Sequence, residues 1–393
     1  MAIYGVNYSP EPTGIGPYTA ELAEHLVALG TNVRVITTFA HYPHWEVGAA
    51  DRRHIRRREV LRGVSVTRLW SRMPKPMTGV QRLIFEMSYS VLALGHGPGD
   101  AQVVVGIIPG LGSGLAAMLH GRLRRREVVI VVQDLAGQGL KQSGMTRARR
   151  IGQLASWAEG FAVRRAHRVI AISGAFVEPL AKMGVRYDRI RVLPNWGRVS
   201  KLAATLPTLS GPPVLLHAGS MGLKQGLEQI VEAARLAHAE GLDYRFLVVG
   251  DGSERDRLEE LGAGLPNLEF RDPAPDDDFP ALLASANVLL MCQAPSNIDM
   301  SFPSKLTAYL ASGRPVVAAV PCGGSVDKFL RRTKVGLSVE AENPAALLGA
   351  LKTLLADEHL QDSLARAGET FVEQEWDRDK LLIQWSDAVR ELP

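Results

Sequence analysis

The chain has 393 residues, 46% of them hydrophobic and 22% charged, with a mean hydropathy of +0.01 and a formal net charge of +4. That is a globular composition, long enough for two domains rather than one core, and it excludes a disordered or collagen-like chain. No apolar run approaches the roughly 18 residues that span a bilayer. Two cysteines, Cys292 and Cys322, show no metal-ligand spacing and suggest a reducing compartment.

Hydrophobic runs and amphipathic segments alternate along the chain, which predicts parallel sheets wrapped by helices. In the first half, strands are predicted near Ala2–Val6, Asn32–Thr37, Val64–Leu69, Val103–Val105, Val128–Val132, Val169–Ala171 and Ile190–Val192. Helices are predicted near Tyr18–Leu29, Gly79–Leu94, Leu111–Arg124, Ile151–Arg165 and Ala175–Met183. The segment Trp196–Pro213, rich in Ser, Thr, Gly and Pro, reads as the domain boundary. Beyond it, strands are predicted near Val214–Ala218, Arg245–Val249, Leu268–Phe270, Val288–Met291, Val316–Ala319 and Gly336–Ser338, and Trp376–Leu392 is a final helix. The expected domains are 1–198, 199–375 and a terminal helix 376–393. Met1–Val6 runs straight into the first strand with no visible signal peptide, which leads us to expect a cytoplasmic protein.

The densest chemical signal is VLLHAGSMGLKQG, Val214–Gly226. A strand ends in Gly219-Ser220-Met221-Gly222 and leads to an amphipathic run. Such a turn aims backbone N–H groups at one spot at the positive end of a helix, an arrangement suited to phosphate. Lys224 can add a full charge there. About 80 residues later, Pro303-Ser304-Lys305 opens a second helix, with Leu306, Tyr309 and Leu310 on one face. A lysine in a first helical turn opposes the helix dipole unless an anion joins it.

Charge is unevenly placed. Residues 1–200 hold 27 Lys and Arg against 13 Asp and Glu, and the rest hold 18 against 28. The basic half suggests an anionic partner, or only a solvated face, with clusters at Arg52-Arg53, Arg56–Arg58, Arg122 with Arg124–Arg126, and Arg147 with Arg149-Arg150. No nucleic-acid-binding motif appears. On the helix 77–94, Val80, Leu83, Ile84, Met87, Val91 and Leu94 form an apolar face that Phe85, Tyr89 and Leu92 widen, flanked by Arg82, Arg72 and Lys75. Such a helix lies in a membrane interface or in the core of its own domain.

Six motifs in order resemble the retaining family 4 glycosyltransferases of GT-B fold, and within them the bacterial exopolysaccharide branch, colanic-acid-type transferases included. They are YGVNYSPEPTGIG (Tyr4–Gly16), Gln133-Asp134-Leu135, VLPNWG (Val192–Gly197), AGSMGLKQGL (Ala218–Leu227), LVVGDG (Leu247–Gly252) and PSKLTAYLASGRPVV (Pro303–Val317). The resemblance covers nearly the whole chain. It implies two doubly wound Rossmann-like domains facing an interdomain cleft, with the terminal helix crossing back to the first. It also implies transfer of a sugar from a UDP- or GDP-sugar to a hydroxyl acceptor, free or lipid-linked, in polysaccharide, glycolipid or natural-product synthesis. A GT-B epimerase acting on a UDP-sugar, or a non-catalytic nucleotide-sugar-binding subunit, would share these motifs.

Roles follow by position. Lys224 and Lys305 meet the departing diphosphate, and Asp134, at the end of VVIVVQD, meets acceptor or sugar or caps its own turn. Gly14, Gly16, Gly219, Ser220, Met221, Gly222, Gln225, Gly250, Gly252, Arg271, Ser304 and Leu306 contact the donor. Ile15, Tyr42, Trp45 and Asn195 face the acceptor, although His41, Tyr42, His44 and Trp45 serve equally well as loop packing. No cofactor and no metal ion is expected, because the family does not depend on an Asp-x-Asp site and Asp276–Asp278 reads as a helix-entry charge run. The expected location is cytoplasmic, with the basic first domain able to make peripheral contact with the inner face of the membrane. The chain departs from the family where paired glutamates would fall at Met300 and Ala308, where Ser220 replaces an arginine, and where Gln225 replaces a lysine that Lys224 supplies one residue earlier.

Overall fold

The computed structural model describes residues 1–11, 14–41, 45–73, 79–135, 157–197, 210–275, 277–297 and 304–391. The chain divides into two compact units, Met1–Asn195 with Asp379–Pro393, and Trp196–Arg378. The first unit runs β1 (Ala2–Tyr4), α1 (Gly16–Ala28), β2 (Arg34–Thr38), β3 (Arg56–Leu61), β4 (Val64–Leu69), α2 (Gly79–Leu94), β5 (Val103–Ile108), α3 (Leu111–Leu123), β6 (Glu127–Val132), α4 (157–165), β7 (Arg168–Ala171), α5 (Val177–Lys182) and β8 (Ile190–Val192). Among the described residues its sheet has eight strands in the order β3-β4-β2-β1-β5-β6-β7-β8. All neighbours are parallel except β3 and β4. Buried on both faces, the parallel strands need apolar side chains throughout, which is why EVVIVV and VVVGII read as continuous runs.

β3 is a strand that the apolar pattern does not reveal. RRREVL lies on the sheet's edge, where alternate residues meet water, and the cluster Arg56–Arg58 is part of it.

Helix α2 corrects the expectation of one broad apolar face. Phe85, Tyr89 and Ala93 are fully buried, and the Tyr89 hydroxyl donates to the Ile36 carbonyl at 2.9 Å. Ile84, Met87, Val91 and Leu94 stand in solvent on the other side, Met87 55% and Val91 65% exposed. The helix is therefore both a core element and the carrier of an unpartnered apolar stripe.

The second unit runs β9 (Val214–Ala218), α6 (Glu228–Ala239), β10 (Arg245–Val249), α7 (Arg255–Leu261), β11 (Leu268–Arg271), α8 (Phe279–Ala284), β12 (Val288–Cys292), α9 (Ser304–Ala311), β13 (Val316–Val320), α10 (Ser325–Thr333), β14 (Leu337–Glu340), α11 (Pro344–Leu355) and α12 (Glu358–Glu375). Six parallel strands in the order β11-β10-β9-β12-β13-β14 form its sheet among the described residues. Leu215, Ile230, Phe246, Val248, Leu290, Val317, Leu347 and Leu351 belong to its core, which joins the sheet to α6 and α11. Helix α13 (Arg378–Arg390) belongs to the first unit from Asp379 onward. Its Trp385 indole N–H donates to the Pro194 carbonyl at 2.9 Å, and Arg168 donates to the Ala388 carbonyl at 2.8 Å.

Candidate active site

In the second unit the winding reverses between β9 and β12, and ligands of open α/β sheets bind at the carboxyl ends of strands at such a point. His217, wholly buried in β9, faces this place. Its Nδ1 lies 3.1 Å from the Leu290 carbonyl on β12, and its Nε2 lies 3.2 Å from Lys305 Nζ. A carbonyl only accepts, so Nδ1 carries the proton and Nε2 offers its lone pair to the ammonium. Burial and the Lys305 charge hold His217 well below the usual imidazole range. Burial also pushes half-buried Lys305 down to about 8. The Cys292 thiol nearby is buried and pushed up to about 12.

Lys305 is the second residue of α9, and the helix is tied to β9 by Tyr309. The Tyr309 hydroxyl accepts from the Ala218 N–H at 2.8 Å and donates to the Ala218 carbonyl at 3.0 Å. A Cβ on Gly219, which has φ +140°, would lie 3.0 Å from Lys305 Cε and Nζ. The glycine thus leaves room for the ammonium at the end of β9.

The glycine turn differs from expectation in one respect. The Gly219 amide donates to the Val249 carbonyl at 2.8 Å and the Met221 amide to the Asp251 carbonyl at 2.9 Å. Only the amides of Ser220 and Gly222 in this turn carry no hydrogen bond among the described residues. Met221 and Leu306 are fully buried core side chains and cannot touch a donor through their side chains. Gly250 and Gly252 likewise serve the loop itself. A Cβ at Gly250 would sit 1.9 Å from the Gly219 carbonyl oxygen, and one at Gly252 would sit 2.4 Å from that of Met221. Their amides go to the Arg271 carbonyl and the Asp251 carboxylate. The Arg271 carbonyl is spent on Gly250, and its guanidinium pairs with Glu269 at 2.5 Å.

Lys224 is exposed, in the single 3-10 turn Leu223–Gln225 between β9 and α6. Its carbonyl accepts from the Ala294 amide at 3.0 Å, which binds the loop after β9 to the segment after β12. Gln225 is half-buried beside it, and Ser304 is the first residue of α9. Lys224 and Lys305 therefore stand in the two segments that border the switch point. Asp277 and Asp278 lead into α8, while Asp276 and Met300 lie outside the described residues. Among the described residues, no group of three His, Cys, Asp or Glu side chains is placed to hold a metal ion.

In the first unit, Gly14 (φ +72°), Ile15 and Gly16 form the entry of α1. Buried Glu11 organises this end of β1 and β2: Oε2 accepts from Asn7 at 2.8 Å and Oε1 from the His41 amide at 3.1 Å. A Cβ on Gly16 would already lie 3.4 Å from that carboxylate. Trp45 packs on His41 and Phe85, with centroids 5.1 and 5.7 Å away, so it is part of the loop's own packing. Tyr42 and His44 lie outside the described residues. Asn195 and Gln133 exchange two amide hydrogen bonds of 2.7 and 3.2 Å, next to Asp134, whose Oδ1 accepts from the Leu135 amide at 2.7 Å. Sequence reasoning gave no role to Asn7, Glu11 or His217, and named Gln133 and Tyr309 only within a motif and a helix face. For His217 the visible hint was a histidine inside the apolar strand VLLHA.

Two doubly wound α/β units, with a lysine held at the switch point of the second, define a GT-B glycosyltransferase. Residues 13–196 match the family described as Glycosyl transferase 4-like domain, and residues 212–357 match Glycosyl transferases group 1. The chain belongs to the retaining family 4 glycosyltransferases. A glycosyl transferase of Escherichia coli K12, WcaI, whose name assigns it to colanic acid biosynthesis, is 29% identical over 99% of both chains. Sucrose-phosphate synthase from Thermosynechococcus elongatus shares the fold with a TM-score of 0.74 at 20% identity, over 99% of this chain and 98% of that one. HepE from Anabaena, in complex with UDP and glucose, has a TM-score of 0.70 at 17% identity, over 100% and 99%. No described helix is long and apolar enough to cross a membrane.

Proposed function

We propose that the protein transfers a glycosyl group, with retention, from a UDP- or GDP-sugar to a hydroxyl acceptor in bacterial polysaccharide, glycolipid or natural-product synthesis. The observation that carries this reading is the Lys305 ammonium, half-buried against His217 where β9 ends at Gly219. Negative charge gathers on the diphosphate as the glycosidic bond breaks, and a cation already oriented there stabilises that charge with little reorganisation. Lys224 adds a second, exposed ammonium, and the amides of Ser220, Gly222 and the first turn of α9 add partial charge. Together these groups do the work that a divalent cation does in other transferases. Ile15 and Asn195 meet the acceptor, Gly14 and Gly16 meet the donor, and Asp134 is the polar group toward acceptor or sugar. The WcaI name supports a polysaccharide product, and the UDP held by HepE supports a uridine donor.

The acceptor side works at the inner membrane face, which the exposed stripe Ile84, Met87, Val91 and Leu94 and the basic first half of the chain support.

The test is nucleoside diphosphate release from a panel of UDP- and GDP-sugars, with and without lipid-linked and free sugar acceptors. Acceptor-dependent release with an α-linked product from an α-linked donor agrees with the proposal. Interconversion of the free nucleotide sugar would identify an epimerase, and binding without turnover would identify a binding subunit.

A further inference from the structure

A cavity of about 290 Å³ lies on one face of β2, β4 and β3, closed at one side by the Gly95–Gly97 segment that follows α2. Arg34, Arg56, Arg58, His96, Ser65 and Thr67 line it. Strand alternation sorts the arginines of this edge into two sets. On the opposite face, Arg57 pairs with Asp51 and Glu59, and buried Arg68 pairs with Glu59 at 2.5 Å. On the cavity face, register places Arg58 beside Thr67, Thr67 in turn beside Ile36, and Arg34 beside Ser65. Among the described residues none of Arg34, Arg56 and Arg58 is ion-paired with a carboxylate.

The neighbouring groups add no negative charge to the cavity. His96 Nδ1 lies 2.7 Å from the Leu92 carbonyl, so this nitrogen donates and Nε2 faces Arg56 Nη1 at 3.5 Å. A Cβ at Gly99 would sit 2.5 Å from Arg34 Nη1, and one at Gly97 would sit 2.9 Å from Arg124 Nη2. The loop after α2 is therefore wrapped by guanidinium groups. The carbonyls that would make the end of α2 negative are occupied: Val91 accepts from Gly95, Leu92 from His96, Ala93 from His120, and His96 from the Tyr4 hydroxyl. Like charges that line one cavity repel one another, and a counter-charge that joins them relieves the repulsion.

The geometry points to a phosphate-binding site in this cavity, taking a phosphate monoester or diester on the Arg34, Arg56 and Arg58 guanidinium groups, with Ser65 and Thr67 as neutral partners. Arginine forks match phosphate oxygens in pairs. The exposed residues Val91 and Leu94 of α2 run up to Gly95 at the cavity wall, so a phosphate that carries an acyl chain would find both its parts accommodated. The site shares no residue with the donor crevice: its lining belongs to the first unit, and the donor residues Lys224 and Lys305 belong to the second.

The experiment measures inorganic phosphate affinity by calorimetry for the wild type and four variants. Arg56→Gln/Arg58→Gln and Arg34→Gln remove the site from two different strands. Arg52→Gln/Arg53→Gln removes equal charge from a nearby surface, and Lys305→Met removes the donor-crevice lysine. The expected result is an affinity loss of about tenfold or more in the first two and little change in the last two. Unchanged affinity in the cavity variants, an equal loss in the Arg52/Arg53 control, or a loss confined to Lys305→Met would overturn the site. Co-sedimentation with phosphatidylglycerol vesicles against phosphatidylcholine vesicles then separates the sources. Parallel loss of vesicle binding assigns the phosphate to a lipid headgroup, and unchanged vesicle binding assigns it to a soluble phosphate.

Discussion

Lys305 Nζ lies 3.2 Å from Nε2 of His217, a histidine fully enclosed between β9 and the strand beside it. The pair fixes a cation that burial has already weakened, with its proton held at about 8 instead of about 10.5. In the free enzyme the ammonium is lost as pH rises through about 8, so kcat/KM for the donor falls above that value. An arriving diphosphate favours the charged form, so donor binding near pH 9 takes up a proton. Calorimetry in two buffers of different ionisation enthalpy measures that uptake, and Lys305→Met abolishes it.

The same shift acts on stability with a definite sign. Between about pH 8 and about 10.5 the folded chain has released the proton while the unfolded lysine still holds it. The unfolded state then binds more protons, so this group's contribution to stability rises with pH across that window. Chemical denaturation of the nucleotide-free protein across the window detects the rise, and Lys305→Met flattens it.

Lys305 and Lys224 respond differently to removal. Lys305→Met and Lys224→Ala each slow transfer by about 10² or more, on the scale of losing one oxyanion-type donor. Lys224 is exposed, so its replacement leaves stability within about 0.5 kcal/mol. Lys305 is half-buried and held below its ordinary value, so Lys305→Met does not lower the melting temperature, because it removes a desolvated charge and fills the space with an apolar chain. Steady-state kinetics beside thermal melts separate the two effects.

Tyr309→Phe tests the tie between helix and strand. Without the hydroxyl, the buried Ala218 N–H loses its acceptor, a cost of about 1–3 kcal/mol. Lys305 sits one helical turn before Tyr309, so the same change loosens the ammonium and raises KM for the donor more than a purely structural defect elsewhere in α9 does. Denaturation midpoints and donor KM are the paired readouts.

Both parallel sheets were legible because a strand buried on two faces has little choice but an apolar run, as in VLLMC and VVAAV. β3 was not, since an edge strand tolerates three successive arginines when alternate residues face solvent or find carboxylates. In the site, Lys305 was legible from its place in a first helical turn, but its burial was not, because that depends on a histidine from a strand 88 residues earlier in the chain. The glycines of LVVGDG read as room for a nucleotide. Their cause lies in the neighbouring backbone, a non-local contact that no spacing within the motif reveals.

That cause makes the last prediction. Gly250 has φ +151°, and a Cβ there would lie 1.9 Å from the Gly219 carbonyl oxygen, backbone that cannot step aside without breaking the Gly219–Val249 hydrogen bond. Gly250→Ala therefore displaces the turn after β9 and lowers both stability and donor binding, with a loss of more than about 2 kcal/mol from steric strain and broken loop bonds. Gly349→Ala provides the contrast: it lies in mid-α11 with nothing within 4 Å of a new Cβ. Helix propensity favours alanine there by up to about 1 kcal/mol, so that variant is stabilised. If urea denaturation ranked Gly250→Ala level with Gly349→Ala, the glycine would owe its place to the ligand and not to the loop beneath it.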